Sequence, residues 1–236
     1  MALPIINDKP KYEMVIPSTK KKVRYRPFLV KEQKVLLLAY ESKDRRGIVR
    51  SILDTIESCV EEKIDVYKLA TFDVDYMFSQ IRAKSVGEVV HLNIDCSKCE
   101  VKNEASLNLD KIEVDVKKQD MIVKLTDTIS LKFKYPDYNY FINDNKFFTN
   151  ESDIDSVLDI IISCLDSIQT NDENLSIADE PREEVQRFIE SLTADQFEKV
   201  KDFINTIPKL THQIKFKCIN CGEENTRIVE GLEDFF

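Results

Sequence analysis

Four of the six cysteines in this sequence form two Cys-x-x-Cys pairs, Cys96/Cys99 and Cys218/Cys221. Two thiolates with two residues between them can face one ion while the intervening backbone amides turn towards the sulfurs and stabilise their charge. Four such thiolates complete a tetrahedral structural site, so Cys96, Cys99, Cys218 and Cys221 are the candidate metal ligands and zinc the candidate cofactor. Cys99 and Cys218 lie 119 positions apart, much further than in a compact zinc ribbon. A thioredoxin-like redox pair is the competing chemistry, but that motif opens a helix after a strand, and here alternating, strand-like stretches flank both pairs. Reduced, unligated thiols are the remaining reading. Cys59 and Cys164 occupy apolar helical positions and read as small core residues. His91 and His212 precede the pairs by five or six residues. With four cysteines filling a tetrahedron, exposed or capping roles suit them better than ligation.

A closed, cysteine-only site offers no open coordination position, and no Ser-His-Asp or Cys-His arrangement can be picked out. With 4 glycines and no Gly-x-Gly-x-x-Gly or Gly-Lys-Ser pattern, phosphate-cradling loops are not in view either. The sequence therefore reads as no enzyme.

The elements that must position the cysteines occur twice. Residues 12–16 and 23–26 form a hairpin pattern around Pro17-Ser18-Thr19, followed by helical stretches over 30–40, 46–62 and 73–85. A strand from His91 to Asp95 then enters the first Cys pair, and another follows from Val101 to Leu109. The second half repeats this order, with strands at 122–125 and 131–135, then helices, then a strand into Cys218 and one from Thr226 to Val229. Ser51–Cys59 matches Ser156–Cys164 at an offset of 105, and the Cys pairs match at 122. The excess in the second half includes the polar run 171–174 and an added helix from Pro181 to Ser191. Thr193 and Gln196 then form a capping-box signature for the next helix. The expected fold is α+β with two related halves, 1–116 and 117–236. Each half carries a β-hairpin, helices and a strand-Cys-x-x-Cys-strand zinc knuckle, and the two knuckles pair across a pseudo-two-fold axis.

Lys20, Lys21 and Lys22 with Arg24 and Arg26, interleaved with Tyr25, form the one basic patch. In a chain with 34 basic against 43 acidic side chains and a formal charge of −9, a charged hairpin edge explains it better than nucleic-acid binding. Aromatic and arginine side chains are also the usual anchors of protein contacts, which makes Arg24, Tyr25 and Arg26, and the terminal Phe235 and Phe236, the candidate partner-binding residues. No apolar run approaches the roughly 18 residues of a membrane span, and Met1-Ala2-Leu3-Pro4 lacks the basic and apolar regions of a signal peptide. A cytoplasmic protein with neither membrane nor nucleic-acid partner is expected. The alternative is a zinc-ribbon protein that binds nucleic acid or a polymerase; a metal- or thiol-dependent enzyme is a third class, for which no open site or reactive pair is visible.

The stretch Tyr12-Glu13-Met14-Val15-Ile16-Pro17-Ser18-Thr19, continued by Val23-Arg24-Tyr25-Arg26-Pro27-Phe28-Leu29-Val30-Lys31-Glu32-Gln33-Lys34-Val35-Leu36-Leu37-Leu38-Ala39, resembles the baseplate hub assembly protein family of T-even-like contractile-tailed bacteriophages. The likeness extends more loosely to the first Cys pair. It implies a late viral protein that assembles the central hub of the tail baseplate, as a chaperone-like factor or as a hub subunit. Its partners would be other hub or tail proteins, and its place the host cytoplasm during assembly or the baseplate of the virion. No catalytic residues come with the resemblance.

Overall fold

The computed structural model describes residues 9–112, 114–116, 120–143 and 153–230. Phe235 and Phe236 lie outside the described residues. The fold is α+β, and its sheets are small and antiparallel. The chain forms two compact units, Met1–Val116 together with Lys209–Phe236, and Lys117–Pro208. The segment after Lys209, which the repeat groups with the second half, thus packs with the first unit.

In the first unit, β1 (Tyr12–Val15) and β2 (Lys22–Tyr25) pair with Met14 opposite Val23 and Tyr12 opposite Tyr25. Period-two alternation buries Val23 and Tyr25 while Lys22 and Arg24 face out. Helix α1 (Val30–Ser42) has Leu29 at its N-cap, a side chain that cannot accept a hydrogen bond. The Glu32 carboxylate accepts the Leu29 N–H instead, at 2.7 Å. Asp44 caps α2 (Arg45–Cys59) by accepting the Arg46 N–H, and α2 buries Ile52, Leu53, Ile56 and Cys59 at helical spacing. Helix α3 (Thr71–Ser85) buries Val74, Met77, Phe78 and Ile81. The hairpins β3 (Val89–Asp95) with β4 (Lys102–Asn108), and β9 (Thr211–Lys217) with β10 (Glu224–Glu230), are separate two-stranded sheets. Val90, Ile94, Ala105 and Leu107 from one, and Ile214 and Val229 from the other, share a core with Leu109 and Leu210. Each ribbon alone would be marginal in water; burying one face of each in a common core makes them stable.

The second unit holds a four-stranded antiparallel sheet of β5 (Ile122–Lys124), β6 (Ser130–Phe133), β7 (Leu165–Gln169) and β8 (Asn174–Ser176). Its helices are α4 (Tyr138–Asn143), α5 (Asp153–Cys164), α6 (Arg182–Glu190) and α7 (Ala194–Asn205). Leu131, Phe133, Ile161, Leu165, Ile189, Val200 and Phe203 form its core, with the Phe133 and Phe203 rings stacked at 4.5 Å. The α7 cap is the one its sequence announces, since Thr193 Oγ1 accepts from Gln196 N–H and Gln196 Oε1 from Thr193 N–H.

One hydrogen-bond arrangement recurs in the two units. The Arg26 N–H after β2 donates to the carbonyl of Cys59 at the end of α2, and Tyr25 bridges to Val60. The Lys134 N–H after β6 donates to the carbonyl of Cys164 at the end of α5, and Phe133 pairs with Leu165. In the first unit that contact is a single bridge. In the second the chain runs on from Leu165 as β7 and returns as β8, with the polar run 171–174 at the turn. These two strands were not expected: the apolar run through Val157–Leu165 reads as helix throughout, and Asp166, Ser167, Asn174 and Ser176 dilute the alternation that marks strands.

Candidate metal centre

Both Cys pairs occupy the turns between strands, Cys96/Cys99 between β3 and β4 and Cys218/Cys221 between β9 and β10. Each turn is closed in the same way. Cys96 N–H donates to Val101 C=O and Glu100 N–H to Cys96 C=O, both at 3.0 Å. Cys218 N–H donates to Glu223 C=O at 2.8 Å and Gly222 N–H to Cys218 C=O at 3.0 Å. The turns require a left-handed residue after the second cysteine, supplied by Glu100 at φ 56° and Gly222 at φ 73°. The backbone N–H of Lys98 lies 3.4 Å from Cys96 Sγ, the amide-to-sulfur contact expected of a knuckle.

The sulfurs meet crosswise: Cys96 Sγ is 3.7 Å from Cys221 Sγ and Cys99 Sγ is 3.6 Å from Cys218 Sγ, with all four within 4.8 Å of one another. Zinc–sulfur bonds of about 2.3 Å set the corners of a tetrahedron about 3.8 Å apart, so the four sulfurs fit such an ion. All six cysteines are free thiols. The electrostatics favour the thiolate at the first cysteine of each pair. Backbone N–H groups of Lys98 and Cys99 lower the Cys96 thiol below its ordinary value. The N–H of Cys221, assisted by that of Asn220, outweighs desolvation and brings Cys218 down to about 6. Cys221 receives a backbone N–H from Glu223, yet desolvation and the adjacent sulfurs of Cys99, Cys218 and Cys96 push it up to about 12. Four thiols this close cannot all ionise cheaply without a cation among them.

Outside the cluster, Cys59 and Cys164 are buried, and burial raises their thiols to about 11 and about 12. His91 is exposed on β3 beside Glu104, at 3.0 Å. Besides the exposed Asn220, whose Nδ2 lies 3.7 Å from Cys99 Sγ, two side chains that the sequence did not single out approach the sulfurs, Asn103 on β4 and Asn225 on β10. Both are the fourth residue after the second cysteine of their pair, a repetition at the same offset of 122 that could have flagged them.

The expected partner-binding segment is mostly committed inside the fold. Tyr25 is buried, and burial raises its hydroxyl to about 12. Arg26 points inward: Nη1 donates to Pro27 C=O and approaches Cys59 Sγ, while Nη2 donates to Ser58 C=O and Glu32 Oε1. Alternation along β2 turns Tyr25 into the core, and α1 supplies the counterion for Arg26. Arg24 does face out, pairing with Glu61 and Glu62. Helix α1 carries exposed apolar side chains, with Val35, Leu37 and Leu38 each more than half exposed. Among the described residues, no helix is long and apolar enough to cross a membrane.

A family described as T4 bacteriophage base plate protein matches residues 9–236 of the chain. The "Baseplate hub assembly protein gp26" of Enterobacteria phage T4 is 25% identical over 225 residues, which cover 95% of this chain and 97% of the relative. No solved structure matches.

Proposed function

The chain belongs to the T4 bacteriophage base plate protein family, and on that premise we propose that it assembles the central hub of a contractile-tail baseplate by binding other baseplate proteins, without catalysing a reaction. The observation that carries this reading is a family match over almost the entire chain, joined by end-to-end similarity to a protein named for hub assembly. The exposed Val35, Leu37 and Leu38 of α1 suit a role exercised through protein contacts, since large apolar side chains contribute to interface cores. The test is infection with a phage lacking this protein. DNA synthesis and heads should continue while hubs fail to form, and supplying the protein should restore tails. Normal tails in its absence would refute the reading; tight, salt-sensitive nucleic-acid binding as the main activity would favour the zinc-ribbon alternative. Work in the host cytoplasm is expected for either form of the role, and persistence in finished particles would mark a hub subunit.

The same reading gives the cysteines a structural role. Cys96, Cys99, Cys218 and Cys221 would hold one zinc ion per chain, and the ion would supply a closed, rigid joint between the β3–β4 and β9–β10 hairpins. Metal analysis of the purified chain checks this: about one zinc per chain is expected, lost in Cys96→Ser or Cys218→Ser and kept in Cys59→Ser. The chain is further read as an internal duplication. Support comes from the shared element order, the two equivalent knuckle turns, and the recurrence of the Arg26–Cys59 backbone contact at Lys134–Cys164.

A further inference from the structure

The side-chain amides of Asn103 and Asn225 are nearly inaccessible, at 2% and 7% exposure, in a region whose other buried side chains are mostly apolar. Each joins the carbonyl that closes its own turn to the opposite turn. Asn103 Oδ1 accepts the N–H of Ile219 at 2.9 Å, while Nδ2 donates to Val101 C=O at 2.6 Å and faces Cys218 Sγ at 3.8 Å. Asn225 Oδ1 accepts the N–H of Ser97 at 2.9 Å and its hydroxyl at 2.8 Å. Its Nδ2 donates to Glu223 C=O at 3.0 Å and faces Cys96 Sγ at 3.6 Å. Every partner of the first asparagine maps onto a partner of the second at an offset of 122: Val101 onto Glu223, Ser97 onto Ile219, Cys96 onto Cys218. The amide orientations are fixed by their surroundings. A backbone N–H can only donate and a backbone carbonyl can only accept, so the oxygen must face the N–H and the NH2 group must face the carbonyl and the sulfur.

On the reading that the four cysteines hold a metal ion, we propose that Asn103 and Asn225 are a reciprocal pair of metal-positioning residues. Each is carried by one hairpin and fixes the first cysteine of the other, as well as the residue after it. The oxygen anchors the opposite knuckle through the backbone, which sets where its cysteine begins. The NH2 group places a hydrogen-bond donor against the thiolate of that cysteine, which stabilises its charge and orients the sulfur's lone pairs. Because the clamp is crosswise, neither hairpin can present a correctly placed first cysteine without the other. Asparagine suits the position because it offers an acceptor and a donor on one short, uncharged group. An aspartate would aim a carboxylate oxygen at both a carbonyl and a thiolate.

The test uses the full chain and two metals, zinc in competition with a chromophoric chelator and cobalt(II) as a spectroscopic substitute. Asn103→Ala and Asn225→Ala should each weaken zinc binding about 10- to 100-fold, the range for loss of an outer hydrogen-bond partner. The isosteric Asn103→Asp and Asn225→Asp should weaken it as well, and should move the sulfur-to-cobalt charge-transfer band to lower energy, because a thiolate without its donor gives up an electron more easily. The exposed Asn93→Ala, on the outer side of β3, should change neither readout. Far-UV circular dichroism of the metal-free chain separates a local defect from misfolding. If an alanine variant misfolds, the aspartate variants decide by the position of the cobalt band. Wild-type affinity together with an unmoved band in the aspartate variants would overturn the proposal. A wild-type chain that binds neither zinc nor cobalt would instead overturn the metal reading on which it rests.

Discussion

Truncating Arg26 and Arg24 should produce very different losses, although the two residues are neighbours but one on the same hairpin and carry the same charge. The Arg26 side chain is 17% exposed and its counterion Glu32 is 8% exposed, at 3.0 Å. Arg26→Ala would leave that carboxylate without its buried partner and would strip the Pro27 and Ser58 carbonyls of their donors. Breaking a buried ion pair by removing one member costs about 3–5 kcal/mol. Glu32 keeps the Leu29 N–H and the exposed Lys31 ammonium at 3.3 Å, which places the expected loss near the lower end, about 3 kcal/mol. Arg24 is 56% exposed and pairs only with surface glutamates, so Arg24→Ala should cost under about 1 kcal/mol. Urea unfolding of the full chain followed by circular dichroism would read the first as a midpoint drop of roughly 1–2 M and the second as a small fraction of that.

The difference should also depend on pH in one direction. Burial by itself would raise the Glu32 carboxyl, but hydrogen bonds from Arg26 and from the Leu29 N–H, with the Arg26 charge, outweigh it and hold the group below the usual carboxylate range. A carboxyl depressed in the folded state contributes stability above its unfolded value, and that contribution is lost as pH falls through the folded value. In Arg26→Ala the carboxyl keeps the Leu29 N–H and Lys31 but loses the Arg26 hydrogen bond and charge, so its value rises and acid costs the variant less than it costs the parent. The gap between the two should therefore narrow from pH 7 towards pH 3. Equal losses for Arg24→Ala and Arg26→Ala, or a gap that does not change with pH, would refute the inward, ion-paired placement of Arg26.

Two further outcomes follow from the knuckles and the surface. Glu100 and Gly222 share the left-handed turn position, so Glu100→Gly should stabilise the chain and Gly222→Ala destabilise it, each by about 0.5–1 kcal/mol in thermal melts; opposite signs would show that the turns are not equivalent. Leu37→Ser with Leu38→Ser changes only exposed positions on α1, so thermal stability should stay within about 0.5 kcal/mol while recovery of baseplate proteins from infected cells falls; a large stability loss would mean that these side chains are covered in the free protein.

Where chemistry and local pattern coincide, the structure follows the sequence closely. Cys-x-x-Cys between alternating segments announces a strand-turn-strand, and Thr193 with Gln196 announces a helix start, because both signals are complete within a few residues. What escaped depends on contacts made over distance. Tyr25 and Arg26 look like a surface anchor in a basic run, and only the pairing of β2 with β1 and the approach of α1 and α2 turn them inward. Asn103 and Asn225 look like ordinary polar strand residues; their partners Ile219 and Ser97 are more than a hundred positions away. Strands β7 and β8 needed the edge of β6 to exist before their mixed composition could be read as a sheet.

A metal ion held by the four cysteines, with the polar clamp proposed above, would answer the long separation of the two turns in the sequence. Bringing Cys218 to Cys99 closes a loop of 119 positions, and the length-dependent part of that closure is about 4 kcal/mol on the scale of (3/2)RT ln n. Burial of Leu210, Ile214 and Val229 against Leu107 and Leu109 offsets part of it, but these residues sit along the ribbons and not at their tips. At the tips Cys96 and Cys218 are buried while Cys221 and Ile219 are exposed, so only part of each tip is removed from water. The ends of the two ribbons must be joined by directed bonds if they are to be joined at all. Four sulfur ligands on one ion and two buried amides, each amide carried by one ribbon and holding the other, would be such bonds. They depend on geometry more than on area, which is why two turns with cysteines and an asparagine at the same spacing can supply both sides of the joint.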